Sequence, residues 1–289
     1  MNRFGKVRCP KCAAGFRLDS KSLRCPAGHA FDIAREGYVN LLPPLGKKNH
    51  VHGDTAAMVD ARRAFLERGH YEPLVNGLIE SVTSVRTRTD QLNVLDAGCG
   101  EGGLLRGFVD GLVSHGQPVD VSAFDLSKVA VQRASRSFPD AALIVANVRQ
   151  RWPFASATFD LVLSVFAPRN PQESARVLKS GGELLVVIPG EDHLAGLRKR
   201  VPLLPVREDK EMQLKQDLHG FELRARAEVR TTLHLCAADA LLLIEMTPNA
   251  WALSADDKAA IAGEQRLITE ASFVILCFAV KHVDCKSES

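Results

Sequence analysis

Two knuckles of metal-binding residue types, within the first thirty residues, constrain the fold of this chain more than any other feature. Residues 9–12 have the sequence C-P-K-C and residues 25–29 the sequence C-P-A-G-H, with twelve residues between them. Each knuckle turns tightly enough for both ligands to reach one ion, and three thiolates with one imidazole form the closed tetrahedral set of structural zinc. Residues 15–18 and 22–24 alternate as two short strands would. The sequence therefore predicts a zinc ribbon with the ligands Cys9, Cys12, Cys25 and His29.

The cysteine count and the small size of the ribbon favour a metal over a disulfide framework. The chain has seven cysteines, an odd number, and four of them are scattered after residue 90. A domain this small cannot bury enough apolar surface to fold alone, so metal binding would supply its folding free energy. The purpose of the ribbon stays open at this point, because it would serve to bind nucleic acid, to bind a protein or to brace its neighbour, although its basic surroundings favour nucleic acid.

The composition is that of an ordinary globular protein. Hydrophobic residues make up 46% and charged residues 25% of the chain, which excludes intrinsic disorder. The longest apolar stretch, residues 271–280, is shorter than the roughly 20 residues that a bilayer requires. The first six residues lead into charge and cysteine instead of an apolar signal segment. We therefore expect a cytoplasmic protein that does not associate with membranes.

Positive charge is concentrated at one end of the chain. Residues 1–50 hold ten Lys and Arg against three acidic residues, whereas the remainder holds 27 against 31. Such asymmetry is typical of a polyanionic partner, although a solvated basic face gives the same pattern. The candidate contacts to such a polyanion are Lys11, Arg17, Lys21, Arg24, Lys47 and Lys48.

Changes in sequence pattern divide the chain into three parts. Residues 1–45 form the predicted ribbon, residues 46–90 a linker with bridging helices, and residues 91–289 the main domain. The linker begins with a polar, basic stretch at residues 46–53, which favours a loop.

Two helices are predicted to bridge the ribbon and the main domain. Asp54 is the predicted N-cap of the first, which runs to about Arg68 and ends at Gly69. The second runs from about Tyr71 to about Arg86.

Apolar strands alternate with amphipathic helices in the main domain, which is the pattern of a parallel sheet covered on both faces. We predict an α/β fold whose strands cover residues 93–96, 119–125, 143–146, 161–165 and 183–188, with two closing strands at 227–235 and 272–280.

A glycine-rich turn follows the first of these strands. Residues 96–103 have the sequence D-A-G-C-G-E-G-G, which contains the pattern G-x-G-x-x-G. Glycines permit positive φ and close approach of a ligand, and the next helix offers free N–H groups at its start. The pattern alone is also compatible with NAD. Asp125, at the end of the second strand, has the position of the acid that holds a ribose diol.

Three later motifs narrow the choice of cofactor. Asn147 follows the third strand, residues 166–170 (F-A-P-R-N) end the fourth, and residues 178–184 (L-K-S-G-G-E-L) introduce the fifth. Together with the turn and Asp125 they resemble class I S-adenosylmethionine-dependent methyltransferases. The resemblance implies a Rossmann-like α/β methyltransferase domain behind the small ribbon, with Asn147 near adenine where Asp is commoner. An oxidoreductase is the least compatible enzyme class, because the later motifs do not suit it.

Longer segments, spread over nearly the whole chain, resemble one family. They are residues 25–42, 61–74, 165–171 and 189–194. In combination with the ribbon and the glycine-rich turn, they are similar to the bacterial 23S ribosomal RNA guanine-N1 methyltransferases, which include the tylosin-resistance enzyme. The resemblance implies a 23S rRNA hairpin as substrate and a homodimer. Residues 167–171 look like the tylosin-resistance branch and residues 246–251 like the other branch, so the target guanine stays open.

The same resemblance implies the ligand sets. One zinc would be held by the four knuckle residues. Tyr71 and His193 are predicted to contact S-adenosylmethionine, and an ordinary structural packing role is the alternative for each. The predicted cofactor-binding residues are Tyr71, Asp96, Gly98, Gly100, Glu101, Gly102, Asp125, Asn147 and His193.

The chemistry of guanine defines what further residues must do. N1 carries a proton in neutral guanine, so the proton must leave while negative charge moves toward O6. Arg169 is the predicted catalytic group that stabilises this charge, with a phosphate or structural contact as its equal alternative, and Asn170 the predicted group that orients the base edge. Phe166 is the predicted stacking partner of the base. The sequence identifies no carboxylate as the general base.

Two functions of other classes are also compatible with the sequence. In a small-molecule methyltransferase the ribbon would only brace the fold, and absence of binding to rRNA would favour this alternative. An adaptor that binds RNA or protein would have lost its activity. The intact glycine-rich turn and Asp125 argue against the adaptor.

Overall fold

The computed structural model describes residues 2–43, 53–84, 90–205, 209–251 and 253–281. Most of the predicted basic linker, with Lys47 and Lys48, and the predicted end of the second helix at Arg86 lie outside the described residues. In the described parts, no helix is both long enough and apolar enough to cross a membrane.

The ribbon is a three-stranded antiparallel sheet. Its strands are β1 (Arg17–Asp19), β2 (Ser22–Arg24) and β3 (Ala30–Asp32), in that spatial order. The two predicted strands correspond to β1 and β2, and β1 begins two residues later than the predicted start of the apolar alternation. The third strand had no signal in the sequence because it spans only three residues behind the second knuckle.

The main sheet has eight strands. They are β4 (Val39–Asn40), β5 (Leu92–Ala97), β6 (Val119–Asp125), β7 (Ala142–Val145), β8 (Phe159–Val165), β9 (Leu178–Pro189), β10 (Phe221–Leu235) and β11 (Leu267–Val280). Their spatial order is β10-β11-β9-β8-β5-β6-β7-β4, and only the pairings of β11 are antiparallel. The order reverses at β5, and ligands of such sheets bind at the carboxyl ends of the strands beside that point. The predicted parallel sheet is confirmed.

Nine α-helices and one 3-10 turn connect these strands in the described residues. They are α1 (Ala56–Leu66), α2 (Glu72–Thr83), α3 (Gly103–Ser114), α4 (Lys128–Ser137), α5 (Pro171–Val177), α6 (Ala195–Arg198), α7 (Lys210–Asp217), α8 (Ala237–Glu245), the 3-10 turn Pro248–Trp251 and α9 (Ala255–Ala262). The prediction of Asp54 as the first N-cap is wrong by one residue. Thr55 is the cap, and its hydroxyl accepts a hydrogen bond from the Met58 amide.

The two closing strands are longer than predicted. β10 and β11 begin several residues before the predicted starts at 227 and 272 and pair from Phe221 with Val280 to Leu235 with Leu267. The first part of β10 is rich in charged residues, which concealed it, because an edge strand with an exposed face tolerates charge along its length.

The two faces of the main sheet are covered by different kinds of structure. On one face α1, α2, α3, α4 and α8 pack over the strands, with Phe65 and Phe108 fully buried. On the opposite face the ribbon packs beside α5 and α7, and its Val7 and Leu23 are fully buried in one cluster with Phe124 of β6. The ribbon core and the core of this face are therefore continuous.

Backbone hydrogen bonds join the N-terminal segment to the crossover between β7 and β8. The Arg8 amide donates to the Pro153 carbonyl at 2.8 Å, and the Ala155 amide donates to the Lys6 carbonyl at 3.0 Å. The crossover, residues 146–158, is described throughout and contains no helix. The ribbon thus occupies the face that a crossover helix would otherwise cover.

Candidate functional site

The four knuckle residues converge on one point of the ribbon. The Nδ1 atom of His29 lies 3.5 Å from the Cys9 sulfur and 3.4 Å from the Cys25 sulfur, and the Cys12 and Cys25 sulfurs are 3.6 Å apart. All four ligand atoms lie within 4.8 Å of one another. Tetrahedral zinc with bonds of about 2.3 Å to sulfur needs ligand separations of this size. The predicted set therefore fits one zinc ion.

The glycine-rich turn has the conformation that its composition predicts. Gly98, Gly100 and Gly102 have φ of 93°, 55° and 83°, the left-handed region that side chains disfavour. A Cβ on Gly98 would lie 2.5 Å from the Cβ of Ala167, which follows β8. The turn therefore brings the backbone into close contact with the next strand end and leaves the first amides of α3 facing the carboxyl edge of the sheet.

Asp125 fastens this turn to the end of β6. Its Oδ2 accepts a hydrogen bond from the Gly100 amide at 3.0 Å, and its Oδ1 accepts one from the Ser127 amide at 2.8 Å. Burial raises the pKa of the carboxyl, and these two hydrogen bonds oppose the rise. Asp125, the residue predicted to bind the ribose, thus lies at the predicted edge of the sheet and also shapes the turn.

Two further carboxyls are buried beside the turn with acceptor atoms left over. Asp96 and Glu101 are each only 5% exposed. Among the described residues, Asp96 Oδ1 and Glu101 Oε2 have no hydrogen-bond partner. Burial, together with the charges of Asp125 and Glu101, raises the pKa of Asp96 to about 8. Buried acceptors are almost always paired, so these atoms indicate a ligand that brings donors or positive charge.

Arg62 of α1 crosses the glycine-rich turn, and no motif had identified its role. Its Nη2 lies 2.6 Å from Asp54 Oδ2 and donates to the Met246 carbonyl at 2.9 Å. Its Nη1 lies 3.6 Å from Glu101 Oε2. The guanidinium therefore holds α1, the end of α8 and the turn together among several acids. The only signal was its place in residues 61–74, one of the segments that resemble the methyltransferase family.

Phe273 of β11 gathers three of the residues named from sequence. Its ring centroid lies 4.9 Å from Tyr71, 5.0 Å from His193 and 5.5 Å from Phe166. Phe273 itself is 1% exposed and was not predicted as part of a site, because a Phe in an apolar strand is ordinarily a core residue. The start of α2, the end of β8 and the segment after β9 thus meet at one aromatic cluster.

Tyr71 and His193 are both uncharged in this cluster. Burial raises the pKa of the Tyr71 phenol well above its ordinary value. Burial, with the nearby charges of Arg198 and Lys210, lowers the pKa of His193 to about 4. The imidazole Nδ1 accepts a long hydrogen bond of 3.4 Å from the Ser272 amide. Both groups can therefore position a ligand without adding charge.

Phe166 is the exposed member of the cluster. It has a φ of 54°, which is strained for an aromatic residue, and 44% of it is exposed. Strained backbone is enriched at functional sites because the surrounding fold has to enforce it. The ring therefore presents a face at the carboxyl edge, near the end of β8.

Two cations, Arg169 and Lys210, influence each other electrostatically. Burial lowers the pKa of Arg169. Burial and the charge of Arg169 lower the pKa of Lys210, the first residue of α7. Lys210 had no sequence signal, since it belongs to no motif. Asp217 of α7 offsets part of the charge of Arg169, and the second cation, Lys210, leaves a position that favours an anionic group.

Backbone groups of nearby residues form hydrogen bonds with the side chains of both asparagines of the site. Asn170 caps α5, accepting from the Glu173 amide at 3.2 Å, and its Nδ2 donates to the carbonyls of Val148 and Gln150. Asn147 Oδ1 accepts from the Arg149 amide at 2.9 Å. Both the oxygen and the nitrogen of the Asn170 amide therefore shape the turn after β8. The Nδ2 of Asn147 has no hydrogen-bond partner among the described residues and is available to a ligand.

Two family models match the chain. A zinc-ribbon family described as "RlmA, N-terminal" matches residues 7–50, and a family described as "Methyltransferase domain" matches residues 94–182. With the strand order and the four-ligand cluster, these matches confirm the predicted α/β, Rossmann-like, S-adenosylmethionine-dependent methyltransferase domain behind an N-terminal zinc ribbon.

Three curated relatives are similar over most of the chain. The 23S rRNA (guanine(748)-N(1))-methyltransferase of Streptomyces fradiae is 40% identical and covers 88% of both chains. A Micromonospora griseorubida protein, provisionally named a 23S rRNA (guanine-N1)-methyltransferase, is 39% identical over 85% of this chain and 86% of its own. A Bacillus subtilis protein with a provisional name of the same kind is 37% identical over 68% of each chain.

Proposed function

Since the chain belongs to the family of 23S rRNA (guanine-N1)-methyltransferases, we propose that it transfers a methyl group from S-adenosylmethionine to N1 of a guanine in a 23S rRNA hairpin. The observation that carries the proposal is the pair of buried carboxylate oxygens of Asp96 and Glu101 beside the glycine-rich turn, which accept no hydrogen bond from the described residues. A cofactor with an ammonium group and hydroxyl donors satisfies such acceptors.

The chain's own residues divide the work of holding the cofactor. Asp96 and Glu101 receive its cationic part, and Asp125 receives the ribose. The left-handed backbone of Gly98 and Gly100 leaves room for close approach. When bound, S-adenosylmethionine supplies a methyl group already activated by the sulfonium charge, so the protein contributes mainly orientation.

Asn147, Tyr71 and His193 complete the proposed cofactor site. Asn147 follows β7, beside the ribose-binding end of β6, and its Nδ2 suits an adenine acceptor. Tyr71 and His193, both in contact with Phe273 and both neutral, line the side nearer the target and exclude water from it. Gly102 is the N-cap of α3 and keeps the first amides of the helix free of a side chain.

The target base is proposed to enter beside Phe166. A guanine extruded from the hairpin loop stacks on the exposed ring. In this arrangement Arg169 and Lys210 face O6 of the guanine. As N1 loses its proton, O6 gains negative charge, which offsets the burial of the two cations and their mutual repulsion. Asn170 acts as a positioning residue, because its amide holds the turn that carries both Phe166 and Arg169.

The ribbon is proposed to hold the RNA backbone. Lys11, Arg17, Lys21 and Arg24 are all exposed. Arg17 and Arg24 are direct partners across β1 and β2. Like charges opposite one another destabilise a sheet. The ion pair of Arg24 with Asp19, at 3.2 Å, offsets part of this cost, and a phosphate between the two arginines removes the rest. Such contacts make RNA binding weaken steeply with salt.

The remaining parts of the proposal follow from family membership. We propose a homodimer that acts in the cytoplasm, where its RNA substrate is found. The Streptomyces fradiae relative acts on guanine 748, and residues 167–171 resemble that branch. We therefore propose the equivalent guanine as the target and tylosin resistance as the cellular outcome, which drug susceptibility of a methylation-deficient host expressing the chain measures.

The decisive experiment is methyl transfer from radiolabelled S-adenosylmethionine to large-subunit rRNA that lacks its own hairpin methylation. Primer extension then locates the product, because a methyl on N1 blocks base pairing. We expect one strong stop at the guanine equivalent to 748. Asp125→Asn should lose the stop, whereas the matched control Asp140→Asn, an exposed residue beyond α4, should keep it. Cofactor binding without transfer to RNA would instead favour a small-molecule methyltransferase.

A further inference from the structure

The 3-10 turn Pro248–Trp251 carries an indole that is 74% exposed. The chain has two tryptophans, and the other one, Trp152, is 2% exposed, with its Nε1 donating to the Val148 carbonyl at 2.8 Å. A tryptophan surrounded by water forfeits the large free energy of burying its ring. Such exposure is informative when the surrounding structure holds the ring in place.

Side-chain hydrogen bonds hold this turn at the rim of the cofactor site. Asn249 Oδ1 accepts from the Leu204 amide at 2.7 Å, and Asn249 Nδ2 donates to Thr247 Oγ1 at 2.9 Å. The Thr247 hydroxyl in turn donates to the Ile244 carbonyl at 2.9 Å. Immediately before it, Met246 accepts the hydrogen bond from Arg62, which reaches over the glycine-rich turn. The exposed indole is therefore part of a fastened element that adjoins the glycine-rich turn through Met246 and Arg62.

The chain that leads from His193 to this turn is basic. Arg198, Lys199 and Arg200 follow one another at the end of α6, and the segment then reaches Leu204, which bonds to Asn249. Arg198 donates to backbone carbonyls of residues 191 and 193, and Arg200 pairs with Glu264. Lys199 is exposed and has no ion pair with any residue that the structure describes. An exposed aromatic on a turn that is hydrogen-bonded to a basic segment matches the chemistry of single-stranded nucleic acid.

We propose that Trp251 is a stacking platform for a nucleobase of the RNA next to the target guanine, with Lys199 at the adjoining phosphate. The inference deepens the proposed function and depends on it, since it adds a second aromatic surface to that of Phe166. One ring receives the base that is methylated, and the other receives a neighbouring base that stays in the loop. The two contacts together hold the hairpin open over the site.

Intrinsic fluorescence tests this proposal directly, because only one of the two tryptophans is accessible. Titration of the full chain with a hairpin RNA at fixed S-adenosylmethionine should quench most of the emission from Trp251. Trp251→Phe should lose that quenching and keep most of the affinity, whereas Trp152→Phe should keep it. Absence of quenching in a wild-type chain that methylates the same RNA would overturn the inference and leave the proposed function standing.

Steady-state kinetics supply the second readout. Trp251→Ala should raise the KM for the hairpin about tenfold, within the range of one lost base stack, with kcat and the KM for S-adenosylmethionine unchanged. Val113→Ala, which trims another exposed apolar side chain on α3, should change none of them. Lys199→Ala should reduce the salt dependence of binding by about one phosphate contact. A changed oligomeric state of Trp251→Ala in light scattering, with RNA binding intact, would assign the indole to a protein interface and refute the proposal.

Discussion

The two faces of the main sheet are covered by opposite means. In the described residues, seven helices contribute to the core on one face, and each satisfies much of its own backbone and adds apolar side chains such as Phe65 or Phe108. The other face is covered largely by the ribbon, whose strands span three residues each and whose fold centres on four metal ligands. One face therefore holds by burial alone, whereas the other also depends on an ion.

The difference shows that the zinc site is part of the enzyme's core. Val7 and Leu23 share one buried cluster with Phe124 and with the strands of the methyltransferase domain. The cofactor turn, by contrast, packs against the helical face, where Gly103 meets Leu66. We therefore expect loss of zinc to act on stability first, and changes near the turn to act on cofactor binding first.

The largest expected effect comes from Cys25→Ser, which removes a buried ligand. Structural zinc contributes about 10 kcal/mol or more in ribbon-sized peptides, comparable with the whole stability of a domain, about 5–15 kcal/mol. The variant should lose its zinc and its cooperative unfolding transition. Metal content and urea unfolding measure both.

Cys236→Ser is the matched control for this change. Cys236 is exposed at the N-cap of α8, away from the ribbon, so zinc content and stability should stay at the wild-type level. If the Cys25→Ser chain lacked zinc and still unfolded like the wild type, the ribbon would contribute nothing to the stability of the sheet, and the comparison of the two faces would fail.

On the helical face the second effect should be large but independent of metal. Phe108→Ala in α3 removes a fully buried ring, and such changes cost about 3–5 kcal/mol. We expect a lower urea midpoint with one zinc per chain retained. Loss of zinc from the variant at urea concentrations well below its global unfolding transition would mean that the two faces unfold as one unit.

Arg62→Ala tests the junction between the helical face and the cofactor turn. The change leaves Glu101 buried with its nearest cation removed, so we expect the affinity for S-adenosylmethionine to fall about tenfold, or about 1.4 kcal/mol. Arg63→Ala, the exposed neighbour that pairs with Glu67, should bind normally. Titration calorimetry compares the two, and equal affinities would remove Arg62 from the site.

The smallest expected effect on cofactor affinity is the pH dependence that Asp96 imposes. Its pKa is about 8 in the folded chain against an ordinary 3.8, so the folded state holds an extra proton between these values. The stability contributed by this proton is present below about pH 4 and is lost as pH rises through 8. A cationic cofactor favours the ionised carboxylate, so affinity should increase as pH rises toward 8.

Asp96→Asn should remove both trends. The variant should bind S-adenosylmethionine more weakly at pH 8 than the wild type, and its affinity should vary little from pH 6 to 8.5. Calorimetry across that interval is the measurement. A wild-type affinity that stays level through pH 8 would contradict the assigned state of Asp96.

Features with a local signature were predictable from the sequence. The knuckle spacing identified the zinc ligands, and apolar runs located β5 to β9 to within a few residues, except for the early start of β9. The glycine pattern predicted the left-handed turn, since only glycine adopts those φ values without strain.

Features that depend on distant partners were not predictable. Arg62 and Phe273 acquire their positions by contact with elements far along the chain. Asp54 was predicted to cap α1, yet the neighbouring Thr55 takes that place and Asp54 pairs with Arg62. The amide of Asn170, expected at the base, is consumed by a helix cap. In each case, tertiary contact decides between roles that the local sequence allows equally.

The short strand β4 has a consequence for the order in which the chain folds. Val39 pairs with Ile144 and Asn40 with Val145, so the outer strand is made early in synthesis, yet beyond its local bridge from Val39 to Ile33 it has no neighbour in the main sheet until about one hundred later residues have left the ribosome. The ribbon can bind its ion long before then. The first strand of the main sheet to be synthesised is thus among the last to join that sheet, and the metal-bound ribbon keeps it ready for that late closure.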